Sequence, residues 1–215
     1  MRIALLVFIG FLATGCAVGN RYTYHSWTVN AEVSGTSTLG VATHDQREYV
    51  VSGNKAPQFV GLQRAGYGNP FDVKTEDDRP LADNMTAVIV RSLRLKGFKA
   101  EAVLITPSMS FAEVRQRVMA LEKQHALILT LHEWKSDTYM NVGLRYNVTL
   151  VVMNRSGTVV AEKRLVGHDN LGGSFWNPPS HARTVVPEAF RTKIQELLND
   201  AAIAGALRDD PPPQR

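Results

Sequence analysis

Six histidines and a single cysteine are the side chains of this sequence best suited to chemistry. A metal site built from local sequence needs His, Cys, Asp or Glu at short repeating spacings, and His25, His44, His125, His132, His168 and His181 form no such pattern. Nucleophilic catalysis would need a Ser on a strand-to-helix elbow with a His and an acid nearby. The sequence has no G-x-S-x-G, no P-loop and no G-x-G-x-x-G. His44 with Asp45, and His168 with Asp169, come closest to acid–base pairs. Neighbours on a strand point to opposite faces, so each pair is expected at a solvated strand end. No catalytic residue, metal or cofactor is assigned.

The cysteine is more informative. Residues 5–16 read LLVFIGFLATGC, with Arg2 before them, which is the plan of a secretory signal peptide. As a helix, residues 3–14 would cover only about 18 Å, against a hydrocarbon core of about 30 Å. The ending Ala13, Thr14, Gly15, Cys16 resembles the bacterial lipobox, whose thiol accepts a diacylglyceryl group before the chain is cut ahead of it. Cys16 is therefore assigned to lipidation, with residues 1–15 removed. A plain signal peptide cut after residue 13 or 15, leaving a stray thiol, is the competing reading. Ala17 after the cysteine suits transfer to the outer membrane, where the body would face the periplasm. The formal net charge is only +4 and the basic residues are interspersed with acids, which argues against a nucleic-acid partner.

Two irregular stretches are candidate contact sites. In RAGYGNPFDVKTEDD, residues 64–78, Gly66 and Gly68 permit unusual backbone, and Arg64, Tyr67 and Asn69 offer donors, with Phe71 placed to plug into the core. This is either a binding loop or a structural crossover. Phe175 and Trp176, in FWNPP, either form a partner surface or cap the end of a sheet.

The elements that must position these residues follow from periodicity. Short strands are expected at 39–43, 48–52 and 58–63, with a loop from 65 to 78. Residues 80–96 read as a helix with Met85, Val88, Ile89, Ser92 and Leu95 on one face and Gly97 as the stop. A strand over 98–105 precedes a helix opened by a capping box of Ser110 and Glu113, with Phe111, Val114, Val118 and Leu121 as its buried stripe. From 126 the period becomes two, and three strands follow, the last two joined by a turn at 154–157. A closing helix is expected over 182–200. Residues 16–37 read as a lipidated tether and linker, 38–200 as a single domain, and 201–215 as a flexible tail. The aromatics Tyr22, Tyr24 and Trp27 would sit either at lipid headgroups or against the domain. The fold class is α+β: a mixed sheet with a C-terminal antiparallel meander, and helices packed on the sheet.

GLRYNVTLVVMNRSGTVVAEKRLVG, then GGSFW and an amphipathic helix, together with LKGF before a strand and the lipobox at Cys16, resembles the YajG-type envelope lipoproteins of Gram-negative bacteria. More remotely the layout is similar to accessory domains such as the amino-terminal domain of TolB. The resemblance implies a lipid-anchored envelope protein without an established activity, which makes a non-enzymatic accessory or binding module the first expectation. The membrane is then a partner through the lipid anchor, with an envelope protein or further copies of the chain as open options. A periplasmic hydrolase using His44, Asp45 or His168 is the alternative.

Overall fold

The computed structural model describes residues 20–208. The expected signal peptide, Cys16 and the last residues of the expected tail lie outside the described residues.

The architecture is built on the meander. Strands β6 (His125–Thr138), β7 (Asn141–Asn154) and β8 (Val159–Gly173) pair antiparallel in sequence order. Alternation in β7 sends Leu144, Tyr146, Val148, Leu150 and Val152 into the main core. Val151 and Met153 go into a smaller core on the opposite face. At the β7–β8 turn, Asn154 Oδ1 accepts from the backbone N–H of Ser156 and Thr158 at 3.1 and 3.0 Å, and Gly157 takes a φ of 78°.

The other edge of β6 is shared. Its first half pairs in parallel with β2 (Thr38–Asp45), which pairs in parallel with β5 (Lys99–Ala102). Its last residues pair in parallel with β3 (Phe59–Arg64). Beyond β3 come β4 (Pro70–Thr75), antiparallel to it, and β1 (Arg21–Tyr22), parallel to β4. The eight-stranded mixed sheet thus forks along one edge of β6. Helices α2 (Leu81–Leu95), α4 (Pro178–Leu198) and α5 (Ala201–Leu207) contribute to the main core, while α3 (Phe111–Met119) closes the smaller one. The α+β class, the meander, the capping box on α3 and the stop at Gly97, whose φ is 95°, agree with the sequence reading.

Several expectations are corrected. Residues 48–52 are not a strand: α1 (Glu48–Val51) turns there because the N–H groups of Val50 and Val51 bond back to the Arg47 carbonyl. The expected loop after Arg64 contains strand β4 over its middle six residues, and Pro70 stands at the first position of that strand, where a missing N–H is tolerated. The strand expected over 98–105 covers only β5. Leu95, at the end of α2, and Phe111, at the start of α3, are exposed instead of buried. Helix α4 starts at Pro178, with the paired prolines in its first turn and the Asn177 side chain accepting from Ser180 N–H at 3.1 Å.

The tether and tail assignments also change for the described residues. Tyr22 and Tyr24 are completely buried, and Tyr24 and Trp134 both meet Phe190 edge to face, with centroids 4.9 and 5.9 Å apart. They belong to the core, as do Val29, Ala31 and Val33. Residues 201–207 form α5, capped by Asp200 and burying Ile203 and Leu207.

Candidate functional site

The acid–base candidates are resolved by the fork in the sheet. Between the stretches of β6 that pair with β2 and with β3, its edge carbonyls have no strand partner. Arg47 fills the gap. Its guanidinium, with no exposed surface, donates to the carbonyls of Phe59 at 2.6 Å, Pro57 at 3.2 Å and Trp134 at 3.3 Å. It also donates to both carboxylate oxygens of Asp45, at 2.8 and 2.6 Å. Burial alone would depress the guanidinium pKa, but the hydrogen bonds and charge of Asp45 outweigh it and the pKa is raised. Asp45 is thus committed to structure. Both His44 and Asp45 are buried, not solvated: past the end of β5 the chain folds back over β2, with Gln46 against His44 and Arg47 against Asp45.

His44 Nε2 lies 2.8 Å from Gln46 Nε2, and burial pulls its pKa below the ordinary histidine value. It borders a shallow hollow of about 460 Å³ together with His132, Glu162 and Arg164. His168 lies in a different hollow, of about 400 Å³, with Arg64, Asp137 and Arg145. Its neighbour Asp169 takes a salt bridge from Lys193 at 3.0 Å and a hydrogen bond from the Tyr146 hydroxyl at 3.2 Å, which tie β8 to α4. The three residues of the hydrolase reading do not converge on one cleft. Among the described residues no group of three or more His, Cys, Asp or Glu side chains is placed to hold a metal ion.

The two candidate contact stretches do converge. The β3–β4 turn is closed by Ala65 N–H to the Asn69 carbonyl and Gly68 N–H to the Ala65 carbonyl, at 2.9 and 2.7 Å, with Gly68 at a φ of 83°. It leaves Tyr67 98% exposed. The β6–β7 turn presents Tyr139 and Met140, and the Tyr139 hydroxyl donates to the Gly66 carbonyl at 3.1 Å. Pairing of Asn141 with Gly173 brings the end of β8 alongside, so Phe175 and Trp176 emerge at the same end. These two rings meet edge to face at 5.4 Å and are 75% and 91% exposed. Between the turns lies a groove of about 360 Å³ lined by Gly66, Tyr139, Met140, Phe175, Pro178 and Pro179.

Arg64, at the base of this groove, is not a free donor: it forks onto Asp137 through bonds of 2.8 and 2.6 Å, and that carboxylate raises its pKa. Asn69 is exposed at the turn. Phe71 is half-buried on β4 opposite Gln63 and does not plug the core, because the strand that carries it lies near the edge of the sheet. Tyr139, Met140 and the paired prolines were missed in the sequence. The available signal was an aromatic and a methionine where two strands must reverse direction.

The segments 65–69, 138–144 and 170–180 contain no Asp, Glu, Lys or Arg. This end can desolvate aromatic rings without stranding a charge. A larger hollow of about 690 Å³ sits at the far end of β6, near His125, Asn154 and Arg208. At about 3.3 Å per residue it is some 40 Å along the strand from the groove, and it holds none of the residues nominated from sequence.

No family model matches the chain, and no curated protein matches it. A solved structure from Xanthomonas campestris, described under the family model DUF330, is 13% identical, with 86% of this chain and 95% of that one covered at a TM-score of 0.53. A PelC dodecamer from Paraburkholderia phytofirmans is 16% identical over 79% of this chain and 94% of that one, at a TM-score of 0.36. A lipoprotein from Neisseria meningitidis is 11% identical over 74% and 99%, at a TM-score of 0.30. The last two scores carry no inference. The first shows that this chain and the DUF330 protein share a fold.

Proposed function

We propose that this chain is a lipid-anchored outer-membrane lipoprotein, held through Cys16 with its body in the periplasm. It serves there as a non-enzymatic accessory or binding module of the envelope. Its contact surface is the uncharged aromatic end formed by Tyr67, Tyr139, Met140, Phe175 and Trp176. The observation that carries this reading is the meeting of the 64–71 stretch with Phe175 and Trp176 at one exposed end. The lipobox at Cys16 and the layout similar to YajG-type lipoproteins support the anchor. Among the described residues no helix is long and apolar enough to cross a membrane, so attachment of a helical kind would have to come from elsewhere in the chain. The hydrolase alternative loses its support once Asp45 is committed to Arg47 and His168 stands apart.

Growth with labelled palmitate tests the reading. The wild-type chain should take up label and sediment with outer membranes, and Cys16→Ser should lose both properties. Absence of label from the wild-type chain would overturn it.

A further inference from the structure

The direction in which the chain enters the fold bears on what the aromatic end touches. Strand β1 runs parallel to β4, with Arg21 opposite Lys74 and Tyr22 opposite Thr75. Strand β4 starts at the β3–β4 turn and leads away from the aromatic end, so the chain enters β1 from that end. Asn20, the first described residue, confirms the placement: its side-chain amide donates to the Pro179 carbonyl at 2.8 Å, three residues along the chain from Trp176. Cys16 is four residues before Asn20. Even fully extended, four residues span only about 14 Å. Cys16 can therefore be no farther than about 14 Å from Asn20, so an acyl group on it keeps the bilayer surface close to the end of the fold where Asn20 meets Pro179.

From this geometry we propose that the occupant of the aromatic end is the lipid interface itself. Phe175, Trp176, Tyr67, Tyr139 and Met140 enter the headgroup boundary of the leaflet that carries the Cys16 acyl chains. The inference rests on the anchoring reading above and names the partner of that surface. Three features fit this occupant. Trp and Tyr have an apolar body and a polar tip, and they are favoured at the membrane–water boundary. The segments that would enter carry no Asp, Glu, Lys or Arg, and residues 16–20 are uncharged too. The nearest charged side chain at the groove, Arg64, is neutralised by Asp137. A single acyl chain binds reversibly and a second signal makes the attachment firm. A short tether and a ring of aromatic residues would together fix the orientation of the body as well as its residence.

Trp176 provides the readout, because it is exposed whereas Trp134 is fully buried and Trp27 packs against the core. The full-length lipidated protein is reconstituted into phosphatidylethanolamine/phosphatidylglycerol vesicles with brominated acyl chains, beside a Trp176→Phe variant. The expected result is bromolipid quenching and a blue shift of an emission component that Trp176→Phe lacks. A chain beginning at Ala17, which lacks both Cys16 and the apolar leader, should still partition weakly onto the same vesicles. Adding Phe175→Ser and Trp176→Ser should lower that partition roughly tenfold, with an unchanged far-ultraviolet circular dichroism spectrum. If palmitate labels the protein but Trp176 is unquenched and open to aqueous iodide, the docking inference fails and the anchor stands. If palmitate does not label the protein while Trp176 of the unlipidated chain is quenched, the anchor fails and the docking stands. Shielding of Trp176 that depends on protein concentration and not on lipid would assign the surface to a second copy and overturn the inference.

Discussion

Replacing Asp45 by Asn keeps the shape of a fully packed side chain and removes its charge, which isolates the role of the ion pair at the fork of the sheet. In the parent protein Arg47 makes two bonds to Asp45 and three to backbone carbonyls, all inside the fold. Removing one member of such a pair leaves an uncompensated buried charge, at a cost of about 3–5 kcal/mol. Asp45→Asn should fall near the lower end, because an amide oxygen can still accept one bond. Arg47→Met should reach the upper end, because it also takes from the Phe59 carbonyl its side-chain donor, worth about 1–3 kcal/mol when left unpaired, while the Trp134 carbonyl keeps the Tyr49 hydroxyl and the Pro57 carbonyl keeps the Leu81 N–H. Against a total stability of about 5–15 kcal/mol, either change is severe. A loss of about 3 kcal/mol corresponds to a fall in Tm of roughly 10 °C in a domain of this size. Equilibrium urea unfolding followed by near-ultraviolet circular dichroism measures it. Because the two residues act together, the double variant should lose at least about 1 kcal/mol less than the sum of the singles. A loss below about 0.5 kcal/mol for Asp45→Asn, or full additivity, would refute this account of the fork.

Three further perturbations have defined outcomes. His44 is held neutral by burial, so below its ordinary value of 6.5 the unfolded chain binds a proton that the folded chain resists. Stability should therefore fall as pH drops below about 6.5, and His44→Gln should flatten the slope of the urea midpoint between pH 7 and 5, with the remainder due to His132, whose pKa is also lowered by burial. Asp200 caps α5 through bonds of 3.0 and 3.4 Å to the N–H groups of Ala202 and Ile203, so Asp200→Ala should cost about 1 kcal/mol and speed amide exchange in α5. A Cβ on Gly61 would lie 2.0 Å from Ser136 Oγ and 2.6 Å from the Ser136 carbonyl oxygen. Gly61→Ala should therefore destabilise the protein by about 1–3 kcal/mol, and Ser136→Ala should not rescue it, because the backbone oxygen remains.

The elements that could be read in advance were those with long, unbroken periods. Helix α2 and the strands of the meander carry enough regularly spaced apolar residues for local pattern to decide, and the turn at 154–157 is specified by Asn154 and Gly157. Short segments were misread. Glu48 to Ser52 contains two valines that favour strand, yet the bonds that hold Arg47 in place set a helical turn there. Pro70 and Asp72 speak for a loop, yet β4 forms because β3 and β1 flank it on either side.

Composition and motif alone determined the candidate anchor at Cys16, the mild charge, the α+β class and the nomination of Tyr67, Phe175 and Trp176, whose exposure the sequence left open. Tertiary structure decided the rest: that Tyr22 and Tyr24 are core against Phe190, that Asp45 serves the fork, and that three turns far apart in sequence make one uncharged end beside Asn20. The physical reason is range. Side-chain spacing along a few turns or pleats fixes which face is apolar. Which faces meet is settled only when strands more than 50 residues apart, such as β4 and β1, are brought into register.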